Sequence, residues 1–242
     1  MVKTLLNRKD FNMRLIDAAH LKTMGTLRKP NNFFAEYDFH FRDLREMSVR
    51  LLEIGVQNGG SLHMWKEYFP NAVEIIGIDV DERCKKFESG NVRVYIGDQE
   101  DIAFLDSIPG LFDVIIDDGG HTMTQQQTSF HRMFPKLKDG GIYVIEDLHT
   151  SYWKEFGGKR GRAGTTIEWL KGLLDDLHFW ASDHRRVSWL YNMKFAIAER
   201  LGLSQAVKPR SYIQEWLRSV SVSDSICFLK KGKIDRAEDE TV

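Results

Sequence analysis

Two short stretches of the sequence place ionisable side chains directly after a run of branched apolar residues. The first is VIIDDGGHT at residues 114–122, and the second is IYVIEDLHT at residues 142–150. Carboxylates and histidines can bind a divalent cation or transfer protons, so both stretches carry residues suited to catalysis. A single Asp-Gly sequence after a strand could be an ordinary turn. Two such acidic ends in one chain favour a common site.

Both stretches belong to a set of five apolar runs that have the length of β-strands. These runs lie at residues 49–56, 72–80, 92–98, 111–118 and 140–147. Helical or charged stretches separate them, which predicts βαβ units and a parallel sheet. The runs are continuously apolar, as expected of strands that are covered on both faces. Ligands of an open parallel sheet bind outside the carboxyl ends of its strands, and all five predicted ends carry acids or glycines.

Further elements are predicted on both sides of this core. Residues 31–47 have the pattern of a helix with an aromatic face, and residues 225–232 have the pattern of a late strand that could close the sheet. Other helices are predicted at 167–180 (capped by Thr165 or Thr166), at 187–203 and, as a short one, at 211–220. We expect one domain over residues 1–242, with an N-terminal helical segment at 1–48, a cofactor and metal core at 49–155, a mobile loop and helical cap at 156–217, and closing strands at 218–232.

The bulk composition argues against several classes of protein. The formal net charge is −1, without the basic excess that is typical of nucleic-acid binding proteins. No apolar run approaches the ~18 residues of a membrane span, and the N-terminus lacks the apolar core of a signal peptide. Cys84 and Cys227 are far apart and have no metal-binding spacing, so we expect two free thiols. We therefore predict a cytoplasmic protein with no nucleic-acid partner and no membrane partner.

The glycine-rich stretch EIGVQNGGS at residues 53–61 follows the first predicted strand. Glycines at a strand-to-helix turn let the backbone approach a ligand closely. The turn does not match the dinucleotide fingerprint G-x-G-x-x-G, because Gln57 stands where the second glycine would be. Glu53 would also oppose a pyrophosphate, although it suits a ligand that carries a positive charge. The turn therefore favours a cofactor without phosphates.

Polar residues at the next two strand ends complete this cofactor pattern. Asp79 follows the turn by about 20 residues, where an acid can hold ribose hydroxyls. Asp98 and Gln99 end the third strand, where the edge of a nucleobase would lie. A ribose, a base and a positive charge without phosphates describe S-adenosylmethionine. Ser61, at the start of the following helix, could contact the carboxylate of that cofactor together with backbone amides.

Three motifs, LLEIGVQNGGSLHMW, GIDVD and GDQED, resemble those of class I S-adenosylmethionine-dependent methyltransferases. With IIDDGGHT and GGIYVIEDLHTSYW added, the chain is similar to the metal-dependent macrolide-sugar O-methyltransferases of the mycinamicin type. The resemblance runs from about residue 33 to 153, and SICFLKKG matches the last strand of that family more loosely. It implies an α/β fold with a doubly wound, mostly parallel, seven-stranded Rossmann-like sheet, N-terminal helices and a helical insertion before the last strand.

The resemblance also assigns roles to individual positions. Asp118, Glu146 and Asp147 match the metal ligands of the family, and hard carboxylate oxygens of this kind suit Mg²⁺. His121 matches the general base, although a loop histidine or a metal ligand remains an alternative. The predicted catalytic residues are therefore His121 and Asp118. Asp117 is expected to face away from Asp118 or towards the amino group of the cofactor. The full predicted set for S-adenosylmethionine is Glu53, Gly55, Gln57, Gly59, Ser61, Asp79, Asp98, Gln99 and Asp117.

The first hypothesis for function is Mg²⁺-dependent (or other divalent-metal-dependent) methylation of a sugar hydroxyl in a natural product or glycan. A catechol-like phenol is the alternative acceptor, and an NAD-dependent oxidoreductase or a non-catalytic assembly module are alternatives of other classes. Two departures leave the acceptor open: GTLRKP (25–30) replaces the GTDKG of the family, and residues 185–217 are inserted. The acceptor is expected to be a glycosylated compound or an activated sugar. We also expect a homo-oligomer.

Overall fold

The computed structural model describes residues 15, 17, 27, 29–178 and 211–233 of the chain. The helix predicted at 187–203 lies outside the described residues, as does most of the insertion at 185–217. The N-terminal part of the predicted helical segment is also mostly outside them.

Seven strands form one sheet in the order β3-β2-β1-β4-β5-β7-β6. Strands β1 to β5 are parallel to one another, whereas β7 pairs antiparallel with both β5 and β6. The predicted fold class is therefore confirmed, including the late strand that closes the sheet. The strands are β1 (Arg50–Ile54), β2 (Glu74–Asp79), β3 (Val92–Ile96), β4 (Phe112–Asp117), β5 (Leu137–Ile145), β6 (Leu217–Ser223) and β7 (Ile226–Lys231).

Six α-helices flank the sheet in the part of the chain that is described. They are α1 (Asn31–Phe41), α2 (Gly60–Tyr68), α3 (Ile102–Ser107), α4 (Met123–Met133), α5 (Thr166–Leu177) and α6 (Tyr212–Trp216). Short 3₁₀ segments occupy Glu82–Phe87, Phe134–Lys136, Leu148–Tyr152 and Lys154–Phe156. None of the helices so described has the length and apolar character needed to cross a bilayer.

Two apolar layers cover the two faces of the sheet, because neighbouring residues of a strand point to opposite sides. Leu51 belongs to one layer and Leu52 to the other. In the first layer, the aromatic face of α1 packs on α2 and β7, with the Tyr37 ring 5.0 Å from Trp65 and 5.5 Å from Phe228. This packing fixes α1 beside the carboxyl ends of the strands.

Two predicted elements have different bounds in the structure. The aromatic helix ends at Phe41 instead of residue 47. Of the short helix predicted at 211–220, only Tyr212–Trp216 is helical. Ser211 caps α6 with its side chain, but from Leu217 the chain continues as a strand that pairs with β7. Pairing across the β6–β7 hairpin overrides the local helical pattern. The helix cap at Thr165 is confirmed, since its hydroxyl accepts from the backbone N–H of Glu168.

The strand order reverses between β1 and β4, which makes this the switch point of the sheet. From β1 the chain proceeds outward to β2 and β3, and it then returns to the other side with β4 and β5. Such a reversal opens a crevice beyond the carboxyl ends of the two central strands. The backbone N–H of Asp118 bonds to the carbonyl of Ile54, and that of Glu146 bonds to the carbonyl of Asp117. The predicted site residues are therefore brought side by side.

Candidate active site at the strand ends

A cavity of about 490 Å³ opens at the switch point, within the usual size range of small-molecule sites. Its wall is formed by the ends of β1, β2, β3 and β4 and by the turns that follow them. Nine of the predicted site residues line it, namely Gly55, Gln57, Ser61, Asp79, Asp98, Gln99, Asp118, His121 and Asp147. Thus most of the predicted set comes together around one cavity.

The turn after β1 requires glycine at two positions. Gly55 has φ +95°, and a Cβ atom there would lie 2.0 Å from the carbonyl oxygen of Asp118. Gly59 has φ +71°, and a Cβ atom there would lie 2.5 Å from the ring of Phe87. Both backbones are in the left-handed region that favours glycine. The turn of the predicted cofactor site is therefore packed directly against the backbone of a predicted metal ligand.

Asp79 ties the same turn to the end of β2. Its Oδ2 accepts hydrogen bonds from the backbone N–H groups of Val56 and Gln57, each at 2.9 Å. Its Oδ1 accepts from the backbone N–H of Asp81 at 2.9 Å. These bonds fix the carboxylate at the cavity wall. Gln57 itself adopts φ +49°, a conformation that non-glycine residues retain mainly where the surroundings enforce it.

Gln99 links the ends of β3 and β4. Its amide N–H group donates to Asp117 Oδ1 at 3.1 Å and to the hydroxyl of Ser129 at 3.0 Å, while its Oε1 accepts from the backbone N–H of Gly120 at 2.7 Å. Asp117 is fully buried, and burial raises the pKa of its carboxyl to about 7. Asp117 thus lies behind the cavity wall, where it holds Gln99. Asp98 lines the cavity and accepts from the backbone N–H of Glu100.

Glu53 also lies behind the wall, fully buried beneath the turn. Its Oε2 accepts from the Ser61 hydroxyl at 2.6 Å, and its Oε1 accepts from the indole N–H of Trp65 at 3.1 Å. Burial raises the pKa of Glu53 to about 7. The Ser61 hydroxyl, predicted to contact the cofactor, is therefore directed at Glu53.

Asp118, His121 and Asp147 form the acidic end of the cavity. One ligand atom from each lies within 4.8 Å of the others, which is compatible with a single bound cation. The Nε2 atom of His121 is 3.4 Å from Asp147 Oδ2 and 3.9 Å from Asp118 Oδ1. His121 and Asp147 both adopt positive φ, at +57° and +55°. Such conformations cost on the order of 1–3 kcal/mol each and are concentrated at functional sites.

Glu146, the third predicted metal carboxylate, faces the interior. Its Oε1 accepts from the Lys29 ammonium at 2.5 Å and from the Tyr37 hydroxyl. Lys29 also donates to Asp118 Oδ2 at 2.6 Å and lies 3.8 Å from Glu53 Oε1. Burial and the nearby charge of Asp118 raise the pKa of Glu146 above its usual range, although Lys29 opposes this shift.

Sequence reasoning did not single out Lys29 and Tyr37. Lys29 belongs to the stretch GTLRKP, which was noted only because it departs from the family pattern. Tyr37 was part of the aromatic helix face. One sequence signal precedes the aromatic helix, namely the pair of basic residues Arg28 and Lys29. That signal carries no information about the distant partner of the lysine.

The chain is similar to known methyltransferases. Residues 52–148 match a family model described as a methyltransferase domain. Over 216 residues the chain is 36% identical to the mycinamicin VI 2''-O-methyltransferase of Micromonospora griseorubida. That alignment covers 84% of this chain and 49% of the relative. The L-olivosyl-oleandolide 3-O-methyltransferase of Streptomyces antibioticus is 42% identical over 161 residues, covering 61% of this chain and 41% of the relative.

A solved structure of a methyltransferase from the mycinamycin biosynthetic pathway, in complex with Mg, SAH and mycinamycin VI, superposes with a TM-score of 0.68. Its sequence is 35% identical, and the match covers 84% of this chain and 50% of that one. The chain therefore has the class I methyltransferase fold, and the predicted resemblance to macrolide-sugar O-methyltransferases is confirmed. It spans about half the length of the curated relatives it matches.

The contact between Gly55 and Asp118 predicts a specific loss of stability. Gly55→Ala adds both the strain of a positive φ and an overlap with backbone, whereas Gly140→Ala adds only the strain, since a Cβ at Gly140 would meet nothing within 4 Å. We expect Gly140→Ala to lower the free energy of unfolding by about 1–2 kcal/mol. Gly55→Ala should cost at least about 1 kcal/mol more. Urea denaturation measures both, and equal losses would contradict the close packing.

Proposed function

We propose that this chain is an S-adenosylmethionine-dependent, divalent-metal-dependent O-methyltransferase that acts on a sugar hydroxyl of a glycosylated natural product. The observation that carries the proposal is the cavity at the switch point, which ends in the cluster of Asp118, His121 and Asp147. The cavity is large enough for a nucleoside, and the candidate cation site lies in its wall. The similarity to enzymes named as sugar O-methyltransferases supports the same activity.

The residues around the cavity fit S-adenosylmethionine. The Asp79 carboxylate at the end of β2 would hold the ribose, and Asp98 with Gln99 would lie at the adenine side. Gly55, Gln57 and Ser61 of the turn after β1 line the same cavity. No basic side chain of this turn suits a pyrophosphate, which argues against the NAD-dependent alternative. Glu53 and Asp117 support the wall from behind, through Ser61 and Gln99.

The donor set at the other end of the cavity fits a hard divalent cation. Asp118 and Asp147 offer carboxylate oxygens close to the His121 ring. Carboxylate oxygens are the ligands that Mg²⁺ prefers, and the ion usually keeps open positions for water or substrate oxygens. The predicted set also contained Glu146, whose Oε1 contacts Lys29 and Tyr37 in the structure.

The reaction needs an activated methyl group and an acidified hydroxyl, which bound S-adenosylmethionine and a bound divalent ion supply. The remaining tasks belong to side chains of this chain. Asp118 and Asp147 would orient the acceptor from one side, and a pair of neighbouring sugar hydroxyls suits such a site. His121 would take the proton of the reacting hydroxyl at Nε2, the ring nitrogen that faces the two carboxylates. A catechol-like acceptor remains the alternative.

Side chains beyond the acidic end are candidates for contacts with the acceptor. Tyr152 and Trp153 are both about half exposed, and the Trp153 ring lies 4.4 Å from that of His149. The basic loop of Lys159, Arg160 and Arg162 is exposed, so it could meet an anionic acceptor such as a nucleotide-linked sugar.

A cytoplasmic location and a homo-oligomeric state also stay predictions.

Methyl transfer to glycosides with vicinal hydroxyl groups should depend on Mg²⁺ and should stop in excess EDTA. Asp118→Asn and Asp147→Asn should each lower kcat/KM on the order of 100-fold or more, because each removes a charged ligand. The matched control is Asp175→Asn, at an exposed position of α5 outside the cavity, which should leave kcat/KM unchanged. Full activity of either cavity variant under strict chelation would contradict the metal role. Faster transfer to catechols than to any glycoside would favour the alternative acceptor.

The role of His121 as a base predicts a loss of turnover without a loss of metal binding. His121→Gln should lower kcat by about 10²–10⁴-fold, because it removes the group that accepts the proton. The affinity of this variant for Mn²⁺ should stay close to that of the wild type. The control is His131→Gln on α4, which should keep the wild-type kcat. A His121→Gln enzyme that binds Mn²⁺ as weakly as Asp147→Asn would instead make His121 a ligand.

A further inference from the structure

The predicted metal ligand Asp147 lies at a sharp corner of the chain. Strand β5 ends at Ile145, and a 3₁₀ segment begins directly after Asp147, at Leu148. Asp147 has φ +55°, a left-handed conformation that a non-glycine residue keeps mainly where its surroundings enforce it. Its carbonyl accepts from the backbone N–H of Thr150 at 3.0 Å and contacts the Thr150 hydroxyl at 2.8 Å. These bonds hold the corner from within its own segment.

A second support for this corner comes from the turn between β6 and β7. The carbonyl of Ser225 accepts from the backbone N–H of Leu148 at 3.0 Å, and its hydroxyl oxygen accepts from the backbone N–H of His149 at 3.2 Å. The same hydroxyl contacts Nδ1 of the His149 ring at 2.5 Å. Ser225 therefore holds both of the residues that follow Asp147, although it lies 76 residues beyond His149 in the sequence.

Ser225 makes these contacts from an unfavourable backbone conformation. Its φ is +65°, and it lies in the two-residue connection between Ser223 and Ile226, which pair across the hairpin. Glycine adopts this conformation without strain, and two-residue connections often contain it. The serine side chain therefore occupies a position where it destabilises the turn, and its hydroxyl is hydrogen-bonded to His149. The hydroxyl thus has a task that glycine could not perform.

The hairpin turn is itself anchored to helix α1. The Ser223 hydroxyl donates to Glu36 Oε1 at 2.7 Å, and the side-chain amide of Asn32 donates to the carbonyl of Asp224 at 3.3 Å. The aromatic face of α1 packs on α2 and β7, as described above. The turn therefore has a fixed position from which Ser225 can hold the corner.

We propose that Ser225 is a positioning residue of the metal site, which holds the left-handed corner at Asp147 so that the Asp147 carboxylate faces His121 and the cavity. This inference rests on the proposed function, because it concerns a ligand of the proposed metal ion. It extends the site from the parallel strands to the antiparallel hairpin of the sheet. Removing a group that orients a metal ligand commonly lowers metal affinity by about 10–100-fold.

Isothermal titration of the SAH-saturated protein with Mn²⁺, combined with urea denaturation, tests this role without an activity assay. Ser225→Ala removes the hydroxyl and keeps the backbone strain, whereas Ser225→Gly removes the hydroxyl and relieves the strain. We expect both variants to bind Mn²⁺ about tenfold more weakly than the wild type. Ser225→Gly should nevertheless unfold at a higher urea concentration than Ser225→Ala. The matched control is Ser219→Ala, at an exposed position of β6, which should keep the wild-type affinity.

The outcomes separate this inference from the proposed function. Wild-type Mn²⁺ affinity in either Ser225 variant would overturn the inference and leave the methyltransferase proposal intact. In particular, a loss of affinity in Ser225→Ala alone would follow the loss of stability instead of the loss of the hydroxyl. If Ser225→Ala does not fold, the comparison of Ser225→Gly with Ser219→Ala still decides. No Mn²⁺ binding to the wild type would overturn the proposed metal dependence and this inference together.

Discussion

The concentration of negative charge at one edge of the sheet is the constraint on which the rest of the site depends. Glu53, Asp118, Glu146 and Asp147 follow or end three neighbouring strands, and the parallel topology brings them together. Carboxylates this close repel one another and resist ionisation when buried, as the raised pKa values of Glu53 and Glu146 indicate. Cations are needed at this edge of the sheet to offset the repulsion between the carboxylates. Lys29 supplies one from within the chain, and a divalent ion on the cavity side would supply another.

The same constraint links the cofactor region to the metal region. Gly55 packs against the backbone of Asp118, so the turn that would receive the cofactor is in direct contact with the residue that would bind the ion. Glu53 lies under this turn and shares Lys29 with Asp118 and Glu146. A rigid arrangement of this kind suits a displacement in which a methyl donor and an acceptor oxygen must be held in line. The aromatic packing of α1 adds Tyr37 to the same assembly.

Much of the site could be predicted from the sequence because parallel strands place their carboxyl ends at one edge. Knowing that the chain alternates strands and helices was enough to group Asp79, Gln99 and Asp118 around one cavity. The direction of each side chain could not be predicted in the same way. Glu146 and Asp147 are adjacent, yet one faces Lys29 in the interior and the other faces His121. That difference depends on the left-handed backbone of Asp147 and on partners more than 100 residues away in sequence. The β6–β7 hairpin likewise needed a long-range pairing that overrode local helix propensity.

The most direct measurement is an anomalous difference map from crystals of the protein grown with MnCl₂ and SAH. A single Mn²⁺ peak is predicted within about 2.5 Å of carboxylate oxygens of Asp118 and Asp147. The absence of any peak at this edge of the sheet would contradict the metal site itself.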